Sequence, residues 1–184
     1  MSFSSEVKEE LAKQFGRSRH CQIAELAGIL ELEGMLDEEG KLVVSNENSL
    51  LQTKYGLLLQ KIFGEKQEVL QIMQTLHWDQ EPYRSRKINH RRADGMLVQQ
   101  TCCKRAFMAA GSISDPNKSY HFEIVCHTLE QAQQLKELME FFETEPKIVE
   151  RKERMVVYLK EGSQIVDLLN VMEAYVSLMN LENV

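Results

Sequence analysis

The residues best suited to chemistry are two glutamates near the end of one predicted helix. Glu31 and Glu33 lie in the stretch LAGILELEG, residues 26–34. Carboxylates are preferred ligands of hard divalent cations. Glu33 stands at the C-terminal end of the helix, where the helix dipole disfavours an anion. Such a placement is useful where paired carboxylates hold a divalent metal against a phosphate.

The nine residues resemble the LAGLIDADG motif of homing endonucleases almost position for position. In that family the small residues of the motif let two helices pack closely, and its last acid holds a metal at the DNA. The resemblance implies a metal-binding ancestry for Glu33. It also implies a helix–helix interface, for which the candidates are Ala27, Gly28, Ala109 and Ala110.

The second copy of the motif lacks its acid. Cleavage of both DNA strands needs one carboxylate from each helix, but the position before Gly111 that corresponds to Glu33 holds Ala110. The next carboxylate, Asp115, belongs to a predicted turn. We therefore interpret Glu31 and Glu33 as vestigial or structural, and we expect no catalytic residue, no bound metal and no cofactor. An active metal-dependent endonuclease that uses Glu33 is the alternative.

The motif helices lie in an internal repeat. Residues 102–180 predict the order α-β-β-α-β-β-α, with alternating apolar residues at 120–126, a capping box of Thr128 and Gln131, and a hairpin around residues 152–154. Ser163 is the predicted cap of a later helix. The same order starts in the first half at Cys21. A predicted helix ends with Gly34 as its C′ residue, and a hairpin and a helix capped by Asn48 follow it. No second hairpin is recognisable after Gly64.

The predicted fold is therefore α+β, with two pseudo-repeated αββαββ halves similar to LAGLIDADG homing endonucleases and a degenerate or shortened first half. We expect residues 1–20 to form an N-terminal helix, 21–80 the first half, 81–101 a basic linker and 102–184 the second half.

Charge is unevenly distributed along the chain. The net charge is −6, which opposes non-specific attraction to nucleic acid, yet residues 82–105 hold seven basic groups against one acid. The candidates for DNA phosphate contacts are Arg84, Arg86, Lys87, Arg91, Arg92 and Lys104. A solvated loop without a specific role is the alternative. We do not expect the strands to form a clean cationic surface, because Glu123 and Glu150 interrupt them.

Cysteine spacing and hydropathy narrow the class of protein further. Cys21, Cys102, Cys103 and Cys126 include no C-x-x-C pair, so we expect buried, reduced thiols rather than a zinc site with His20. Residues 1–8 lack the basic start and apolar core that are typical of a signal peptide, and no apolar run reaches the length needed to cross a membrane. A cytoplasmic protein without a membrane partner is expected.

Longer matches resemble the WhiA-type regulators of Gram-positive bacteria. They lie at residues 1–11, 24–27, 102–106, 110–116, 119–124, 150–152 and 157–160. The resemblance implies a DNA-binding transcription factor of sporulation and cell division, with a degenerate LAGLIDADG domain followed by a helix-turn-helix domain. We therefore expect that second domain beyond Val184 in the full-length protein, where it would make most of the DNA contacts.

The sequence thus predicts the regulatory, DNA-associated N-terminal domain of a nucleoid-associated transcription regulator, with its nuclease activity lost. Residues 1–184 alone are expected to bind DNA poorly. Other regulatory proteins are a second class of expected partner, and a protein-interaction scaffold is the alternative function.

Overall fold

The structure, a computed structural model, describes residues 2–45, 49–65, 68–76 and 96–183. The helices in these ranges are α1 Phe3–Ala12, α2 Arg19–Glu33, α3 Ser49–Phe63, α4 Val69–Thr75, α5 Met96–Ala110, α6 Leu129–Glu140, α7 Gly162–Val171 and α8 Tyr175–Glu182. The strands are β1 Gly34–Leu36, β2 Leu42–Val44, β3 Gly111–Ile113, β4 Phe122–Cys126, β5 Lys147–Arg151 and β6 Arg154–Leu159. The α+β class is confirmed. No helix in the described part of the chain is long and apolar enough to cross a membrane.

The chain divides into two compact units. The hairpin unit is Phe15–Arg105, and the sheet unit combines Met1–Gln14 with Ala106–Val184. The division falls within α5. Each unit is described by itself below.

The hairpin unit begins with α2, whose N-terminus is capped by the Ser18 hydroxyl accepting from the amide of Cys21. β1 and β2 pair antiparallel around a turn in which Asp37 accepts from two backbone amides. Helix α3 packs on α2 and buries Leu51, Leu58 and Ile62. Between 49 and 76, the described residues hold the helices α3 and α4. Asn48, the predicted cap of α3, lies outside the described residues.

The sheet unit is built on four antiparallel strands in the order β3-β4-β6-β5. Helix α6 packs on the sheet, and α1 lies against β3 and α8. Alternate residues of β4 and β6 point to the same side of the sheet. On one side, the residues of these two strands are apolar and largely buried. The buried ones are Phe122, Ile124, Cys126, Val157 and Leu159.

Local signals of the second half are confirmed except two. The predicted last helix of the order is two helices, α7 and α8. Thr128 caps α6 by accepting from the amide of Gln131, and Lys152 and Glu153 make the hairpin turn with φ of 51° and 62°. The prediction for Ser163 is wrong. Helix α7 begins at Gly162 with Glu161 at its N-cap, and no side chain caps it.

Gly34 and Gly111 hold equivalent places, as predicted, but for a different reason. Gly34 is extended, with φ −75° and ψ 137°, so the prediction of a left-handed C′ residue is wrong. Each glycine is the first residue of a strand directly after a helix. A Cβ on Gly34 would lie 2.3 Å from the carbonyl oxygen of Leu30, and one on Gly111 would lie 2.3 Å from Cδ2 of Phe107. The close helix-to-strand turn therefore requires glycine at both places.

Candidate nucleic-acid interface

The second face of the four-stranded sheet carries polar and charged side chains. Glu123 lies opposite Tyr158, and Tyr158 lies opposite Lys147, so the three point to the same side. Every second residue of the strands continues this face. We call it the open face, and its strand residues are Ser112, Glu123, Val125, Lys147, Val149, Arg151, Arg154, Val156 and Tyr158. All of them are exposed or half-buried except Val156.

Four cations lie on or beside the open face. Lys147, Arg151 and Arg154 are exposed strand residues, and Nζ of Lys160 lies 5.6 Å from the centre of the Tyr158 ring. Cationic and aromatic side chains on one surface are typical of proteins that bind a nucleic-acid backbone.

Two histidines join the same surface. The ring of His121, directly before β4, stacks on Tyr158 with 6.0 Å between centroids. Arg154 donates to Nδ1 of His127, directly after β4. Because arginine has no acceptor atom, Nδ1 of His127 is the acceptor in this contact. The contacts of the open face thus form two groups. Lys160, Tyr158, His121, Glu123 and Arg151 are linked in one, and Arg154 and His127 form the other.

Glu123 is the single strand acid of the open face. Its Oε1 accepts from Nη2 of Arg151 at 2.7 Å, and its Oε2 lies 2.8 Å from Nε2 of His121. Burial by itself raises the pKa of the Glu123 carboxyl, but the hydrogen bonds and charges of Arg151 and His121 outweigh it and hold the pKa below its ordinary value. Glu123 is therefore a paired carboxylate.

The strand register corrects one sequence interpretation. Glu150 lies opposite Met155, which belongs to the other side of the sheet, so it does not interrupt the cations of the open face. Sequence reasoning missed Arg151, Arg154 and Tyr158 as a group. The available signal was the period-two pattern of residues 147–151 and 154–158, but only the pairing of β5 with β6 brings the two runs to one face.

The predicted phosphate contacts before residue 96 are not placed. Arg84, Arg86, Lys87, Arg91 and Arg92 lie outside the described residues. Lys104 is described and is buried. The burial of Lys104 does not fit the exposed phosphate contact that we predicted for it.

The acidic motif position has a structural partner in the hairpin unit. The Ser45 hydroxyl lies 3.2 Å from Oε2 of Glu33 and 3.0 Å from the Glu33 carbonyl, which ties the end of α2 to β2. In the sheet unit, Ala110 ends α5 immediately before Gly111. Asp115 accepts from the backbone and side chain of Asn117, as a turn residue does. The side chain of Glu31 lies outside the described part.

The predicted helix interface is described in part. A Cβ on Gly28 would lie 3.3 Å from Cβ of Arg105, so α2 and α5 approach closely at this glycine within the hairpin unit. Ala109 is buried in the sheet unit, whereas Ala27 and Ala110 are half-buried. An interface of Ala27 and Gly28 with Ala109 and Ala110 stays a prediction.

A charged cluster in the hairpin unit had no counterpart in the sequence analysis. Arg105 donates to Glu25, and both side chains are buried together with Lys54 and Lys104. Nζ of Lys54 also lies 4.7 Å from the centre of the Phe15 ring. Burial first, and then the nearby charge of Arg105, lowers the pKa of Lys54 to about 7, against a smaller raising effect of Glu25.

Metal-binding groups do not cluster in the described structure. Among the described residues, no three histidines, cysteines or acids come close enough to hold an ion. Cys21, Cys103 and Cys126 are buried, and burial raises the pKa of the Cys126 thiol to about 11. These thiols are placed as the sequence predicted. The side chain of Cys102, a member of the alternative zinc set, is outside the described part.

The family model and the similar relatives described below all belong to one family. Residues 99–184 match the family model of the WhiA LAGLIDADG-like domain. The probable cell division protein WhiA of Lachnoclostridium phytofermentans is 43% identical over 215 residues, which cover 100% of this chain and 69% of that protein. Its counterpart in Lachnospira eligens is 42% identical and covers 100% and 67%. The chain therefore spans about two thirds of the length of these relatives.

Two solved structures share the fold. Full-length WhiA from Thermatoga maritima superposes with a TM-score of 0.77 at 20% identity, covering 100% of this chain and 66% of that one. The crystal structure of an N-terminal LAGLIDADG domain of WhiA has a TM-score of 0.68 at 22% identity, covering 93% and 92%. At these identities the similarity concerns the fold.

Proposed function

Because this chain belongs to the WhiA family, we propose that it serves cell division and sporulation as a DNA-associated regulatory domain that has lost nuclease activity. Its relatives are named probable cell division proteins. The proposed contact surface is the open face of the sheet unit. The proposed contact is electrostatic and weak, with the phosphate backbone rather than the bases as its main partner.

The observation that carries the proposal is that Lys147, Arg151, Arg154 and Lys160 lie on one face of the sheet, with Lys147 opposite Tyr158 and Lys160 over its ring. The chain is acidic overall, with a net charge of −6, so a concentration of cations on one face is a local feature. Such a surface attracts a polyanion while the rest of the molecule repels it, which favours one orientation over others.

The loss of nuclease activity rests on the two motif positions. A metal ion held between two helices needs a carboxylate from each. Glu33 accepts from Ser45, and Ala110 provides no ligand atom. These positions fit a scaffold that kept the fold of a DNA-cutting enzyme and serves binding instead.

A titration of fluorescently labelled duplex DNA tests the proposal at several salt concentrations. The variant Lys147→Gln/Lys160→Gln removes two cations of the open face. It should weaken binding to all sequences alike and reduce the slope of log K against log salt by about 2, roughly 0.9 for each phosphate contact. The matched control is Lys13→Gln/Lys136→Gln. It removes one lysine at the C-terminal end of α1 and one in α6.

Two results would count against the open face. Equal losses in both double variants would mean that net charge alone governs binding. Binding that does not depend on salt, or no binding at low salt, would favour the protein-interaction scaffold instead.

A further inference from the structure

The Glu123 carboxylate accepts hydrogen bonds from Arg151 and His121, two side chains that could otherwise donate to a DNA phosphate. Each carboxylate oxygen has its own partner, Arg151 at 2.7 Å for Oε1 and His121 at 2.8 Å for Oε2. Only 13% of the Glu123 side chain is exposed, whereas 53% of Arg151 and 34% of His121 are. The donors can therefore be reached from solvent while the acid lies beneath them.

The geometry resembles the binding of a phosphate group. Arginine side chains and imidazole N–H groups donate hydrogen bonds to oxyanions, and a carboxylate and a phosphate present similar oxygens to them. A donor that is already engaged by Glu123 has to be shared or released before it contacts DNA. The negative charge of Glu123 also repels a phosphate that approaches to a few ångströms.

We propose that Glu123 acts as an internal competitor for phosphate on the open face, holding Arg151 and His121 and thereby limiting the affinity of the domain for DNA. This inference rests on the proposed function, because it concerns the same surface. It assigns the weak binding that we expect of this domain to one residue. Lys147 and Lys160 then provide the attraction that remains available, since neither forms an ion pair with another described residue.

A cross-strand ion pair that only stabilises the sheet is the competing explanation. It links β4 to β5 across the intervening β6, which would explain why the pair is present without any role in binding. The two explanations differ in sign for the DNA affinity of a neutral variant. A purely structural pair predicts unchanged or weaker binding when the acid is removed, and the competitor predicts tighter binding.

The test compares Glu123→Gln with Glu150→Gln in the duplex titration. Both variants remove one negative charge, but Glu150 pairs with Met155 on the other side of the sheet. Glu123→Gln should bind about fivefold more tightly than the unmodified chain and have a steeper salt slope by about one phosphate. Glu150→Gln should change affinity less than twofold. Equal effects of the two variants, or weaker binding by Glu123→Gln, would overturn the proposal.

A double-variant cycle isolates the proposed contact. In the background Arg151→Gln, the gain from Glu123→Gln should fall to less than half, because the main donor to be released is gone. An equal gain in both backgrounds would mean that Glu123 acts through general charge, which contradicts the proposal. If Glu123→Gln lowers the unfolding temperature, Glu123→Thr provides a second neutral side chain suited to a strand, with the same expected gain.

The outcomes separate this inference from the proposed function. If Lys147→Gln/Lys160→Gln weakens binding and Glu123→Gln fails to strengthen it, only the competitor role falls. If neither the unmodified chain nor Glu123→Gln binds duplex DNA at low salt, the proposed function and the competitor role both fall.

Discussion

The guanidinium of Arg105 in α5 donates to the carboxylate of Glu25 in α2, and both side chains are buried in the hairpin unit. Lys54 and Lys104 are buried in the same unit. Glu25 is the partner that balances Arg105 there, and its charge also raises the pKa of Lys54. The pair connects the helix that carries the acidic motif to the helix that leads into the sheet unit.

Removing Glu25 should destabilise the chain strongly. Glu25→Gln leaves the charge of Arg105 buried without its carboxylate, which costs about 3–5 kcal/mol. Chemical denaturation measures the loss in free energy of unfolding. The matched variant Glu25→Leu/Arg105→Met removes both charges and should cost much less than Glu25→Gln. A double variant that is as unstable as the single one would show that packing, and not the pair, accounts for the effect.

Lys54 should make stability depend on pH above neutrality. Its pKa is about 7 in the folded chain against an ordinary 10.5, so the unfolded chain holds more protons between these values. Stability therefore rises with pH across this window, by at most about 1.4 kcal/mol per unit. Urea denaturation at pH 6.5 to 9 should show this rise, and Lys54→Met should flatten it and be the more stable form near pH 6.5.

Lys61 provides the control for that experiment. Its Nζ also lies over the Phe15 ring, at 5.2 Å, but its side chain is exposed. Lys61→Met should keep the pH dependence of the unmodified chain. A slope that survives in Lys54→Met would contradict the role assigned to Lys54.

The glycines that start β1 and β3 should not tolerate a methyl group. Gly34→Ala and Gly111→Ala each place a Cβ 2.3 Å from a neighbouring atom and should cost about 1–3 kcal/mol or more. Gly56→Ala is the control, since a Cβ there meets nothing within 4 Å in the interior of α3. It should stabilise the chain by about 0.4–1 kcal/mol. Thermal unfolding of the three variants checks the contrast, and similar midpoints for all three would refute it.

The chain should not cut DNA. Incubation of supercoiled plasmid with Mg²⁺ or Mn²⁺ should leave it intact, because Ala110 supplies no second carboxylate. Glu33→Gln should leave DNA binding unchanged, since Glu33 contacts Ser45 and does not lie in the sheet unit. Nicking that requires the metal and disappears in Glu33→Gln would restore the endonuclease alternative.

Local sequence signals predicted much of the fold. The family resemblance is confirmed. The cap at Thr128 was predictable because a capping side chain bonds to a backbone amide only a few residues away. The alternation of apolar and polar residues at 120–126 predicted β4, because this pattern also depends only on neighbouring residues. The prediction that Ser163 caps a helix was wrong because the exact first residue of a helix depends on the backbone geometry there. Gly34 showed that a glycine after a helix does not imply a left-handed turn.

The candidate site was less accessible to sequence reasoning. Arg151 and Glu123 are far apart along the chain and meet only through strand order, with β6 between β4 and β5. A charged residue in a sequence gives no sign of whether it is buried, so Lys104 was assigned to phosphate and Arg105 was not recognised as a core residue. Both failures concern tertiary contacts, which propensities and spacing do not encode.

Methyl NMR during titration with a short DNA duplex tests the open face most directly. Val125 and Val149 point to the open face, and Ile124 and Ile148 alternate with them on the same strands. We expect shifts or broadening of the two valine methyl signals that diminish as salt is added, with little change in the two isoleucines. Perturbation of the isoleucines instead, or of the hairpin unit alone, would contradict the assignment of DNA contact to this face.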